Sequence, residues 1–147
     1  MVYFTNRSIF KMKPTFSPKN NPRVIIIQIL YSKYYNDNQN IIIPKHRFKK
    51  FIKDVVFGTI ERNELILTEI KKYLESDINL KSHDKVFLTI LKSAIYELLY
   101  KPSTSSKIII KEYLNASNFF IENTKTKYLN ALLDKISKNL RLTNEGK

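Results

Sequence analysis

The chain has 147 residues, no cysteine, and 26 Lys and Arg against 13 Asp and Glu, a formal charge of +13. A domain of this length buries about two thirds of its unfolded surface without a staple, and the lack of cysteine excludes disulfides, thiolate metal sites and cysteine nucleophiles. The longest apolar runs, Val24 to Ile27 and Ile108 to Ile110, fall far short of the about 20 residues of a membrane helix, and no signal-peptide core follows Met1, so a soluble cytoplasmic protein without membrane contact is expected. Residues 1–50 hold ten Lys and Arg against the single Asp37, whereas residues 51–147 hold sixteen against twelve. A polyanion-binding face should therefore involve the N-terminal third. Lysine makes up 21 of the 26 cations, as codon bias toward A and T would give, so charge alone leaves RNA, DNA and acidic proteins open.

Residues 1–21 combine Lys11, Lys13, Lys19, Pro14 and Pro18 with Tyr3, Phe4, Phe10 and Phe16 without periodicity, which predicts a basic arm that orders on a partner. Asn21 and Pro22 form an N-cap with proline at the first helical position, and a helix is expected to about Tyr35 although Ile25, Ile26, Ile27 and Ile29 favour strand. Asn36 to Asn40 reads as a loop, and Pro44 closes Ile41 to Ile43. From Lys45, the residues Phe48, Phe51, Ile52, Val55 and Val56 take the spacing of one buried helical face, with Lys49, Lys50 and Lys53 opposite. A third helix is expected from about Arg62 to Glu75, and a fourth capped by Ser82 and ended by Pro102, with Phe87, Ile90, Leu91, Ala94, Ile95 and Leu98 inward. A fifth should run from about Ser106 to Phe120 with Ile109, Tyr113, Ala116 and Phe120 inward, and a last one, capped by Thr124, carries Leu129, Leu132, Leu133, Ile136 and Leu140. Glycine occurs only at Gly58 and Gly146, and no glycine hairpin joins two strand-like runs. The expected fold is all-α, a compact bundle of about six to seven helices in one domain over 22–142, with a frayed tail at 143–147.

The stretch Lys92-Ser-Ala-Ile-Tyr-Glu-Leu-Leu99 resembles the LR-x-A-x-YELL signature of the NusB family, and Ile110-Lys-Glu-Tyr113 follows at the spacing of that family's next motif. Tyr128-Leu-Asn-Ala-Leu-Leu-Asp-Lys135 is similar to F-V-N-x-V-L-D-K, Arg23 to Tyr31 to R-x-x-A-x-Q-x-L-Y, and Phe51 to Gly58 to the segment ending in the small-G-V step. Five matches in register, over about 22–141, implicate the family. The resemblance implies two packed helical subdomains and a non-enzymatic factor in transcription antitermination and ribosomal-RNA synthesis. Such a factor binds boxA-type nascent RNA with NusE, a small-subunit ribosomal protein, and reaches the RNA polymerase antitermination complex indirectly. A domain of this kind also begins certain ribosomal-RNA methyltransferases; with the sequence ending at Lys147, no methyl-donor-binding domain is expected.

Candidate RNA contacts follow. Arg23 holds the family's arginine position at a helix start, where a cation and the helix N-terminus can meet phosphate; a solvated surface arginine is the plain alternative. Lys19 is the main upstream cation where family members carry several arginines, a departure that Arg7, Lys11 and Lys13 could offset. Gln28 and Tyr31, three apart, could together bond and stack an unpaired base, although Tyr31 is equally a packing aromatic. Lys125, Lys127 and Tyr128 start the last helix with two cations and a flat face, the chemistry that single-stranded RNA needs. Asn130, at the family's asparagine position, offers a donor and an acceptor, for a base or for a helix contact. Thr124 stands where better-known members carry an acid beside the RNA. Glu97 and Glu112 are expected to make helix-to-helix hydrogen bonds; the helix face near Lys85 and Phe87 is the candidate partner surface for NusE, with a solvated lysine and a core phenylalanine as the favoured plain reading. His46 and His83 are isolated, no phosphate-cradling glycine loop can form, and Glu61 with Glu64 and Glu75 with Asp77 read as exposed helix charge. No enzyme, metal or cofactor is expected. The other reading is a helical interaction protein that pairs with a ribosomal protein and holds RNA through bulk charge, as monomer or homodimer.

Overall fold

The computed structural model describes residues 18–38, 40–74 and 84–141. The expectations for the N-terminal arm, for Ser82 and His83, for the Lys19 side chain and for the tail lie outside the described residues. Within them, a short 3-10 turn, Pro18–Asn20, leads into α1 (Pro22–Ser32), followed by α2 (Lys49–Glu61), α3 (Asn63–Leu74), α4 (Lys85–Tyr100), α5 (Ser106–Ser117) and α6 (Asn123–Leu140). No strand occurs among the described residues.

Asn21 caps α1 as expected, its side chain accepting from the Arg23 and Val24 amides, with Pro22 at the first position. The isoleucine-rich stretch is helical because α1 is wrapped on every side: all seven residues from Val24 to Leu30 are buried. Each β-branched residue costs about 0.5 kcal/mol in helix propensity, whereas its burial contributes about 2 kcal/mol, so packing decides. Val24 and Ile27 join one core with α3, α4, α5 and α6, while Ile25, Ile26, Ile29 and Leu30 join a second core with Ile52, Val55 and Val56 of α2. Thus α1 is shared between two packed subdomains.

The centre of the bundle is α4, which packs against each of the other five helices. Its buried residues include the small Ser93 and Ala94, which let neighbouring backbones approach, and the charged Glu97. At its crossing with α2, a Cβ on Gly58 would lie 2.2 Å from the tip of the Tyr96 ring, so glycine makes room for that ring and a larger residue would force it to move. The end of α4 is closed by Arg141, a buried guanidinium that donates to the carbonyls of Glu97, Leu98, Lys101 and Thr104.

Several expected details differ. Phe48 precedes α2 and is 44% exposed, because the apolar pattern extends one turn beyond the core. The cap of α4 is Asp84, whose carboxylate accepts from the Phe87 amide at 3.0 Å. Helix α6 starts one residue before Thr124, so Thr124 lies in its first turn and Glu122 is the residue at the cap position. Phe119 rather than Phe120 is the buried aromatic after α5.

Candidate nucleic-acid interface

Two ends of the α1–α4 pair carry polar chemistry. At the first, Arg23 donates to both Glu97 oxygens, Nε to Oε2 at 3.0 Å and Nη2 to Oε1 at 2.7 Å, and Glu112 lies 3.9 Å away. Its guanidinium also sits 4.9 Å from the Phe51 ring centre and 5.4 Å from that of Tyr113. The Tyr113 hydroxyl donates to Glu97 Oε2. Burial opposes the charge on Arg23, but Tyr113, Glu97 and Glu112 together outweigh it and hold the guanidinium above its ordinary value. Burial, followed by the neighbouring Glu97 charge, pushes the Tyr113 hydroxyl well above the usual tyrosine range, so it stays a donor.

The second end gathers the last turn of α1, the first turns of α4 and the start of α6. Tyr31 meets Tyr35 edge-on at 5.3 Å and Tyr34 at 6.3 Å, and the hydroxyls of Tyr31 and Tyr35 are 2.9 Å apart. That bond, with burial and the charge of Asp84 behind it, pushes the Tyr31 hydroxyl up to about 12. Lys85 of α4 lies over Tyr34 and Tyr35 at 5.6 and 5.5 Å, and Lys92 donates to the Tyr34 hydroxyl at 3.1 Å. Asp84 holds Lys125 of α6 at 2.6 Å, and Tyr128 stacks on Phe87 at 5.6 Å with the planes 19° apart. A cavity of about 270 Å³ opens beside Tyr34, lined by Leu30, Lys33, Thr59, Ile60, Asn63 and Lys92 among others. The buried Thr59 hydroxyl has no hydrogen-bond partner among the described residues. Exposed aromatic faces bordered by ammonium groups can stack unpaired bases and neutralise the phosphates beside them.

The expected contacts divide between these ends. Tyr31, Lys125, Tyr128 and Lys85 come together at the tyrosine end. Arg23 does not join them: its side chain is 11% exposed and engaged by Glu97 in an ion pair at the other end of the helices. The turn containing Lys19 leads into that same end. Gln28 is 4% exposed and packed inside, which separates it from Tyr31 because α1 emerges from the core only at its last turn. Phe87 is 1% exposed and belongs to the core, so it cannot present itself to a partner. Lys127 and Asn130 are both exposed, but at about 100° per residue they share a different face of α6 from Lys125 and Tyr128. Tyr34, Tyr35 and Lys92 were not expected; three tyrosines within residues 31–35 were the available signal. Among the described residues no cluster of three or more His, Cys, Asp or Glu could hold a metal, and no helix is long and apolar enough to cross a membrane.

Comparison with known proteins agrees with this architecture. A transcription antitermination protein NusB of Rickettsia bellii is 32% identical over 127 residues, covering 81% of this chain and 78% of that protein. The Haemophilus ducreyi protein of the same name is 29% identical over 133 residues, 82% of this chain and 93% of its own length. Against the proteins of that name from Mesorhizobium japonicum and Bradyrhizobium diazoefficiens, the match spans 63% and 55% of their lengths. A solved structure of T. maritima NusB superposes with a TM-score of 0.71 at 21% identity, covering 83% of this chain and 92% of that one, and so shares the fold. The sequence model of the NusB family matches residues 20–138, nearly all of the described helices, and the chain belongs to the NusB family.

Proposed function

We propose that this protein is a transcription antitermination factor that binds boxA-type single-stranded RNA together with the ribosomal protein NusE, and that RNA bases lie on the tyrosine end. Family membership supports the first part of this reading. The observation that carries the second is the packing of Tyr34 and Tyr35, just beyond α1, against Lys85 and Lys92 of α4, beside the α4 start where Lys125 of α6 pairs with Asp84 and Tyr128 stacks on Phe87. Stacking on such faces contributes about 1–3 kcal/mol per base, enough for selectivity between unpaired sequences when edges are also read. Lys127 and Asn130 lie nearly opposite Lys125 and Tyr128 around α6, so the RNA contact at this end is assigned to Tyr128 and not to them. Arg23 acts here as a positioning residue: it ties the start of α1 to the end of α4 and thereby sets where the last turn of α1 projects.

The experiment is a titration of the purified protein, with and without NusE, against a boxA RNA and a scrambled RNA at two salt concentrations. Preference for boxA that grows with NusE is the expected result. Equal affinity for both RNAs with NusE still bound would leave an interaction protein whose RNA binding is bulk charge, with a log–log salt slope near −3.5 for about five phosphate contacts.

A further inference from the structure

The lysines at the tyrosine end are largely engaged: Lys125 pairs with Asp84 at 2.6 Å, Lys33 with Asp37 at 3.3 Å, and Lys92 bonds the Tyr34 hydroxyl. A dense group of cations without ion-pair partners among the described residues lies elsewhere. Lys45, Arg47, Lys49, Lys50 and Lys53 place five cations within nine residues around the start of α2, all exposed. None has a carboxylate within 4 Å among the described residues, and the neighbouring acid, Asp54, is paired with Lys101 at 3.5 Å. Exposed aromatics interleave with them: the Arg47 guanidinium lies 5.0 Å from the ring of the half-exposed Phe48, and Phe57 shares a stripe with Lys50 and Lys53. The first turn of α2 contains no acid and its cap residue provides no side-chain bond, so the helix start adds positive potential.

Position separates this patch from the tyrosine end. Phe51 packs under Arg23 and Lys101, which puts the start of α2 beside the end of α4, whereas Lys85 and the tyrosines lie at its beginning. Lys85 and Lys101 are sixteen residues apart on one helical path, about 24 Å, the length of about seven stacked nucleotides.

We propose that Lys45, Arg47, Lys49, Lys50 and Lys53, with Phe48 and Phe57, form a second RNA contact that takes the phosphate backbone of the segment flanking the bases held at the tyrosine end. This rests on the RNA-binding reading above and adds a site to it. An acidic protein is the weaker occupant because protein interfaces are depleted in lysine around an apolar centre, while lysine dominates here.

The test compares Lys49→Ala/Lys50→Ala/Lys53→Ala with the native protein on RNAs of about 8 and about 20 nucleotides, each in boxA and scrambled form. The long RNA should bind roughly tenfold more weakly to the variant, with the log–log salt slope flattened by about 2 for three lost contacts, while the short RNA is unaffected. The triple arginine variant should keep the native affinity, and a control triple at the exposed Lys107, Lys111 and Lys135 should show no length-dependent loss. Unchanged long-RNA binding overturns the proposal, as does an equal loss in the control or a loss seen only with poly-glutamate, which would mark a protein-docking face. If the native protein shows no boxA preference, the boxA reading fails, and the length dependence on scrambled RNA still tests the patch.

Discussion

The Arg23 end and the tyrosine end are built from the same materials, cations against aromatic rings with a carboxylate nearby, and differ in access to solvent. Around Arg23 the carboxylate is fully buried and both of its oxygens are used, so the charge is spent on holding α1, α4 and α5 together. Around Lys85 the cation lies over rings that remain exposed, Tyr35 at 67% and Tyr34 at 38%. Residue type does not separate a structural ion pair from a binding surface; what separates them is how much of the charge and ring face the surrounding helices leave uncovered.

The largest expected effect breaks the buried side of this contrast. Glu97→Gln leaves the Arg23 guanidinium inside with only the partly exposed Glu112, 3.9 Å away, as counter-charge, and loss of one partner of a buried pair costs about 3–5 kcal/mol. Urea denaturation should register that loss while RNA affinity of the folded fraction is unchanged; a loss under about 1 kcal/mol would mean that Arg23 is solvated. On the open side, Tyr128→Ala should weaken boxA binding by about 1–3 kcal/mol and affect a scrambled RNA less, because stacking goes and charge stays. Equal losses on the two RNAs would remove Tyr128 from the recognition surface.

Alkaline pH sharpens the same contrast. The folded pKa of Tyr113 is raised above the ordinary 10.0, so the unfolded chain loses that proton first and stability, complete below pH 10, declines as pH rises above it. The expected slope is about 1.4 kcal/mol per pH unit for this group, and Tyr113→Phe should flatten it; an unchanged slope would assign the decline to other groups. The smallest effect is expected at Gln28, whose Oε1 is buried without a partner among the described residues. Gln28→Leu should leave RNA affinity as it is and stability equal or slightly higher, by calorimetry, since an unsatisfied polar atom is removed. A clear fall in RNA affinity would return Gln28 to the RNA.

Much of the fold was legible because burial leaves a periodic trace. The stripes through Ile66, Ile90, Ile109 and Leu129 fall on buried faces, and Asn21 with Pro22 marked the start of α1 despite its isoleucines. Helix starts were read less well, since Thr124 and Phe48 obey the pattern of a helix that begins elsewhere. Tyr31, Lys125 and Tyr128 could be singled out by chemical type, but their meeting through Asp84 and Lys85 is a matter of helix packing. Arg23 shows the limit most clearly: its partner lies 74 residues away on another helix, so a strong local phosphate signal belonged to an interior pair.

The most direct measurement is a titration of isotope-labelled protein with a short boxA-type RNA, following ring and amide resonances. Shifts concentrated at Tyr31, Tyr34, Tyr35, Lys85, Lys92 and Tyr128, with Arg23 and Glu97 little changed, are the predicted result. Shifts centred on Arg23, or spread evenly over exposed lysines with the tyrosines silent, would contradict it.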